Sequence, residues 1–282
     1  MAAWTNATTT PPASGILRPE VQDALVRRGR FEPEAGLATW IEHYWTVAWD
    51  LEDADAFRAE VVSHPSVHVT VESGTVPRFG SELPVGLVHG VITRKFSVDI
   101  SGTGRVFGVK FRPGGFGAFT GADVGSWTDR ILPLSTAFGA ASADLVERVL
   151  AAPSDEARAR ILDGLLLGRL PDRDARYETV LAIVADLRDD PGLTTVDAVA
   201  RRHGFSERTL QRIFRRYVGV GPKWVLQRYR LHDAVDLIDS GDYDDLAGLA
   251  VRLGWFDQAH FTREFTALVG QPPAAYAARR AT

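Results

Sequence analysis

Gly204–Tyr217 reads GFSERTLQRIFRRY, and the reading of the chain starts from its spacing. Gly204 can take the positive φ that ends a helix, and Ser206 can cap the next one through its hydroxyl. Leu210, Ile213, Phe214 and Tyr217 then fall on one apolar stripe of a helix over 207–217, with Arg208, Gln211, Arg212, Arg215 and Arg216 opposite. Upstream, Thr195–His203 (TVDAVARRH) sets Val196, Val199 and Ala200 at the same period. A helix, a short glycine turn and a second helix with basic and amide groups outside make a helix-turn-helix. Arginine can give two parallel hydrogen bonds to guanine, and glutamine can do likewise to adenine.

The unit recurs. Asp245–Leu253 (DLAGLAVRL) stands where Val196–His203 stood, Gly254 where Gly204 stood, and Asp257 takes the capping position of Ser206. Gln258–Val269 has Phe261, Phe265 and Leu268 as its packed side and leaves Gln258, Thr262 and Arg263 outward. Leu210 pairs with Phe261, Arg212 with Arg263 and Phe214 with Phe265 at a constant offset of 51. Tyr229–Ile238 reads as the helix joining the two units, with Trp224 and Tyr229 in its core. Tyr177–Arg188 precedes both units and ends at Asp189-Asp190-Pro191-Gly192, where proline breaks the ladder. Two such units on one rod can set their recognition helices about one DNA turn apart, roughly 34 Å.

The net charge of −4 hides a segregation. Residues 200–230 hold nine basic residues and one acid, whereas 231–270 hold two basic residues and eight acids. The first stretch suits phosphates; the second needs close, shape-driven contacts to approach them.

Residues before about 130 read as strands. His43–Leu51 places Trp45, Val47 and Trp49 on one face, and Ser66–Glu72 alternates Val67, Val69 and Val71 with Ser66, His68, Thr70 and Glu72. Gly86–Thr93 is a further strand. Lys95–Ile100 and Arg105–Arg112 flank Ser101-Gly102-Thr103-Gly104 and read as a hairpin. Helices follow at 143–150 and 154–167, the second capped by Ser154, and Leu170–Asp174 marks a domain boundary. The expected fold class is α+β: a tail over 1–15, a β-rich sensing or dimerisation domain over 16–172, and an all-α domain over 173–282. The two helix-turn-helix units of the latter span about 195–217 and 245–269.

Residues 177–280 resemble the DNA-binding domain of the AraC/XylS family of transcription regulators. The resemblance is carried by TVDAVARRH, GFSERTLQRIF (204–214), GVGPK (219–223), FDQAHFTREF (256–265) and GQPPAAY (270–276). It implies a sequence-specific regulator of double-stranded DNA with both recognition helices in successive major grooves. Base-facing residues would be Arg208, Gln211 and Arg212, then Gln258, Thr262 and Arg263, with Arg215 and Arg216 completing the DNA-binding set. Ala259 stands where a longer polar side chain is common, and the acid run Asp242–Asp245 lies close by, so the first unit is expected to dominate affinity. The family commonly places a cupin-like β-barrel or sandwich ahead of the DNA reader. WIEHYWTVAW (40–49), HPSVHVTVE (64–72) and GRVFGVKFRPGGFGAF (104–119) look like the N-terminal domain of an uncharacterised subgroup.

Trp45, Trp49, Phe107, Phe111 and Phe116 are the candidate pocket for an apolar or aromatic effector. Homodimerisation through the N-terminal domain is the other expected role. A second reading, a cupin-type metal-dependent enzyme or sensor fused to a DNA reader, rests on His64, His68 and Glu72 sharing strand parity. Four residues of strand separate the histidines by about 13 Å, too far for one ion, so no metal and no cofactor is expected. His68 and Glu72 then read as a polar outer strand face. The chain has no cysteine, which excludes an alkyl-transfer repair regulator. A non-enzymatic, cytoplasmic protein with no membrane segment is the expectation.

Overall fold

Alternation along Ile41–Leu51 gives this strand two buried faces, because the sheet around it is covered on both sides. The computed structural model describes residues 15–17, 19–52, 56–190 and 192–278, so the expected tail over 1–15 lies outside the described residues apart from Gly15. The described strands are β1 (Val26–Phe31), β2 (Ile41–Leu51), β3 (Phe57–Val62), β4 (His68–Gly74), β5 (Val85–His89), β6 (Lys95–Ile100), β7 (Gly102–Phe111) and β8 (Ile131–Pro133). Six form one antiparallel sheet in the order β1-β2-β7-β4-β5-β8, and β3 pairs with β6 in a second, two-stranded sheet. The expected β6–β7 hairpin is therefore corrected. At Ser101-Gly102, where Gly102 has φ +58°, the chain turns from one sheet into the other instead of pairing back on itself.

Twelve helices are described, five of them in the N-terminal part: α1 (Pro19–Leu25), α2 (Gly115–Thr120), α3 (Ser135–Phe138), α4 (Ala141–Ala151) and α5 (Asp155–Leu167). Ser154 caps α5, its hydroxyl accepting from the Ala157 amide. Then come α6 (Ala175–Asp189), α7 (Val196–Arg202), α8 (Glu207–Tyr217), α9 (Pro222–Ser240), α10 (Leu246–Arg252), α11 (Gln258–Val269) and α12 (Pro273–Ala278). The class is α+β, a β-rich N-terminal part followed by a helical helix-turn-helix region. No described helix is long and apolar enough to cross a membrane.

The cross-strand register decides which side chains share a face. Tyr44, Val69, Phe107, Val109 and Phe111 lie on the face covered by helices, in one core with Leu145 and Leu162 of α4 and α5. That core continues without a break into Tyr177, Val180, Leu210 and Phe214 of the C-terminal part. The residues between α5 and α6 form no element, yet burial crosses them. Tyr217 also ties its hydroxyl to Asp174 there (2.7 Å). A separate core holds Leu231, Val235, Trp255, Phe261, Phe265 and Tyr276 together with Leu17 and Val62.

The opposite face carries Trp45, Val47 and Trp49 with Val106, Thr70 and Glu72. This corrects two expectations. His68, Thr70 and Glu72 face the interior between the sheets, not solvent, with Glu72 1% exposed. The five proposed pocket aromatics also do not meet: Trp45 and Trp49 lie on this face, whereas Phe107, Phe111 and Phe116 pack in the helix-covered core. Trp45 and Trp49 take one face of the sheet and Phe107 and Phe111 the other, so the thickness of the sheet separates them, and Phe116 of α2 sits on the side of Phe111. Gly104 and Gly108 complete the inner face, because the rings of Trp49 and Trp45 occupy the space their side chains would need.

Candidate nucleic-acid interface

Local signals fix both recognition helices. Ser206 accepts from the Thr209 amide at the start of α8, and Asp257 from the His260 amide at the start of α11 (2.7 Å). Gly204 and Gly254 have φ of +71° and +80°, the left-handed conformation that lets each turn reverse in so few residues. In both turns the residue after glycine donates its amide back to an alanine carbonyl, Phe205 to Ala200 and Trp255 to Ala250, each at 2.9 Å. The repeat seen in the sequence is thus a repeat of hydrogen bonds.

Each recognition helix buries one stripe. Leu210, Phe214, Phe261 and Phe265 are all 0% exposed. Around the rest of α8, Arg208, Gln211, Arg212, Arg215 and Arg216 are exposed; on α11, Gln258 and Arg263 are exposed and Thr262 is half-buried. Among the described residues, the side chains of Arg208, Gln211, Arg212, Gln258 and Arg263 make no hydrogen bond or ion pair within the chain.

Arg215 and Arg216 differ from the rest. Arg216 donates to the Gly121 carbonyl (2.7 Å), and the Arg215 stem lies against Gly125. Both side chains leave the end of α8 toward the N-terminal domain. Neighbouring contacts fix the same end: Thr128 donates to the Gly219 carbonyl at 2.7 Å.

Charges around the second unit are largely spent within it. Asp245 caps α10 through the Gly248 amide (2.6 Å), and Asp242 pairs with Arg252 (3.4 Å). Glu264 collects three donors, from Gln227 (2.6 Å), Trp255 (2.7 Å) and His260 (3.1 Å), which seats α11 against α9 and α10. His260 is therefore turned along its own helix. The first unit has a matching lock at α7: Arg202 pairs with Asp190 (2.7 Å) and His203 with Asp186 (2.9 Å).

The shared helix α9 is seven residues longer at its start than the sequence reading, because Pro222 begins it where no amide donor is needed. Arg228 on α9 donates to the Ser63 carbonyl (3.0 Å) and the Thr93 carbonyl (2.7 Å) and stacks over Trp224. One turn on, His232 stacks on His64 with ring centres 4.1 Å apart. Burial first, and the neighbouring Arg228 charge second, lower the His232 pKa to about 3. His64 is thus at the interdomain contact, while His68 accepts from the Trp45 indole (3.1 Å) between the sheets. Lys95 of β6 reaches the far end of α11, donating to the Val269 carbonyl at 3.2 Å. None of these interdomain contacts was legible in the sequence, because each joins residues at least 90 positions apart.

Residues 199–279 match a family model described as a helix-turn-helix domain, and residues 29–133 match one described as a domain of unknown function, DUF6597. Among solved structures, the chain is similar to an AraC-type transcriptional regulator from Chromobacterium violaceum at 22% identity and TM-score 0.34, covering 39% of this chain and 98% of that one. It is also similar to ToxT from Vibrio cholerae, solved with (E)-4-(8-methylnaphthalen-1-yl)but-3-enoic acid bound, at 11% identity and TM-score 0.38, covering 90% and 98%. A third similarity is to the AraC-like transcriptional activator CuxR, at 16% identity and TM-score 0.25, covering 76% and 88%. Residues 199–279 thus form a helix-turn-helix domain.

Proposed function

We propose that the protein is a sequence-specific DNA-binding transcription regulator in which residues 173–282 read DNA and residues 16–172 sense a small effector, pair two chains, or both. One observation carries the DNA-reading part. Two helices of like construction each bury a stripe and leave long donors outward with no partner in the described chain: Arg208, Gln211 and Arg212 on α8, Gln258 and Arg263 on α11. A guanidinium held on a rigid cylinder costs little ordering entropy when it meets a base edge.

Among the eight DNA-binding residues expected from the sequence, six keep a base-reading role in this proposal, Thr262 through its half-buried hydroxyl. Arg215 and Arg216 instead position the end of α8 against residues 121–125. The first unit is the stronger reader because its outer face carries free arginines, whereas the second offers Arg263 and two uncharged groups.

Selection of bound duplexes from a random pool, followed by anisotropy titration on the winner, tests this directly. Enrichment of a defined site, with affinity falling steeply as salt rises, is the expected result. Arg212→Ala should cost about 1–3 kcal/mol on that site and relax base choice. Failure to enrich any sequence, with binding that ignores salt, refutes the reading.

A further inference from the structure

The inner face of the six-stranded sheet is covered unequally. β3 and β6 lie over one side, where Ala59 and Ile100 pack with Trp49, Leu51 and Val106. Over β4 and β5 the cover comes instead from the connection between those two strands. Arg78 and Ser81 exchange both backbone hydrogen bonds (3.0 and 2.8 Å), and the tip inserts Arg78 and Phe79 between the layers. The Arg78 guanidinium stands 4.8 Å from the Trp49 ring centre, with its Nε 3.1 Å from Glu72 Oε2. Phe79 packs edge-on against His89 (5.2 Å) and lies 5.9 Å from Phe96. Thr70 donates to Glu72 Oε1 at 2.8 Å and completes the wall.

Three features mark this tip as a stopper. Arg78 Nε and Nη1 and Glu72 Oε2 are buried without a hydrogen bond, so the charges touch but are misaligned. Phe79 has φ +51°, a left-handed conformation that a bulky residue keeps only when its surroundings hold it. Thr75 ties the start of the connection to Thr103 of β7, its amide donating to the Thr103 carbonyl (2.9 Å) and its hydroxyl accepting from the Thr103 amide (3.1 Å). Val76, Pro77 and Gly80, by contrast, are exposed, so beyond Thr75 the tip is held mainly by Arg78 and Phe79.

We propose that Glu72, Trp49 and Phe96 form a site for a small organic cation, an alkylated guanidinium or amine, which Arg78 fills in cis until the ligand displaces the tip. This rests on the reading of the N-terminal domain as an effector sensor. A guanidinium free of the backbone can align two donors on Glu72 while keeping its face on the indole, which the tethered Arg78 does not achieve. Displacement reaches the DNA-binding domain through β6. Phe96 touches the tip, and its neighbour Lys95 holds the Val269 carbonyl at the end of α11 while pairing with Glu60 (2.6 Å).

The test uses the full chain without DNA, so its failure is distinct from failure of the DNA-binding reading. N-propylguanidine and neutral N-propylurea are titrated calorimetrically into wild type, Arg78→Ala, and Arg78→Ala combined with Glu72→Gln. Arg78→Ala should bind propylguanidine roughly tenfold tighter than wild type, with a similar preference over propylurea that the added Glu72→Gln removes. Phe79→Ala loosens the tip, keeps both charges and covers the case in which Arg78→Ala does not fold. It should tighten propylguanidine binding by roughly threefold, as expected when a competing internal occupant loses population. Equal binding of the two probes, a preference that survives Glu72→Gln, or no gain in Phe79→Ala overturns the site. With DNA added, saturating propylguanidine should change the affinity of Phe79→Ala for the selected duplex, and an unchanged affinity overturns the coupling.

Discussion

The two helix-turn-helix units share caps, turn glycines and buried stripes but are attached to the molecule differently. Leu210 and Phe214 of the first unit belong to the same core as Phe107, Phe111 and Phe116 of the N-terminal domain. Phe261 and Phe265 of the second belong to a separate core, joined to the N-terminal domain by Leu17, Val62 and the Lys95 contact. Apolar burial is non-directional and cooperative, so the first unit moves with the sheet. Two apolar side chains and one lysine hydrogen bond attach the second unit more sparingly, so it should open without disturbing the sheet.

Cutting each core separately is the strongest way to break this comparison. Phe214→Ala and Phe265→Ala should each cost about 3–5 kcal/mol. Phe214→Ala should loosen the N-terminal sheet as well, whereas Phe265→Ala should leave it protected, as read by hydrogen exchange across β7. Equal loss of protection in the sheet for both variants contradicts the division.

Acid should attack the contact between α9 and the N-terminal domain. His232 has a folded pKa of about 3, below its ordinary value, so the unfolded chain gains a proton that the folded chain resists. Stability from this group is complete above about pH 6.5 and is lost as pH falls toward 3. Between pH 7 and 5 the loss should be about 2 kcal/mol, and denaturant titrations of His232→Phe should lack that increment. Glu42 acts at lower pH. Burial raises its carboxyl, but the His43 hydrogen bond and the Lys110 charge outweigh this and hold it below the usual carboxylate range.

Removing the latch is the gentlest cut. Lys95→Ala should cost about 1–2 kcal/mol, since it deletes a charge-assisted hydrogen bond at a helix C-terminus and the half-buried ion pair with Glu60. Exchange should quicken in the last turn of α11 and stay unchanged in α8; quickening in both contradicts independent attachment.

What was legible in the sequence was what is local. The bounds of α8 and α11 follow from a cap, a stripe and a glycine within a dozen residues, and the structure has them at Glu207–Tyr217 and Gln258–Val269. β1 went unread because Val26–Phe31 is VRRGRF, whose arginines hide the alternation of a strand. His68, Thr70 and Glu72 look like a solvent face because polar alternation ordinarily means water. Here a folded-back tip and a second sheet cover them. The aromatic set failed for the opposite reason: hydrophobicity does not say which side of a sheet a ring takes.

The most direct measurement compares the affinities of wild type, Arg212→Ala and Arg263→Ala for one selected duplex at fixed salt. The account predicts that both variants bind more weakly, Arg212→Ala by about 1–3 kcal/mol and Arg263→Ala by less. Wild-type affinity in both, with base preference intact, contradicts it.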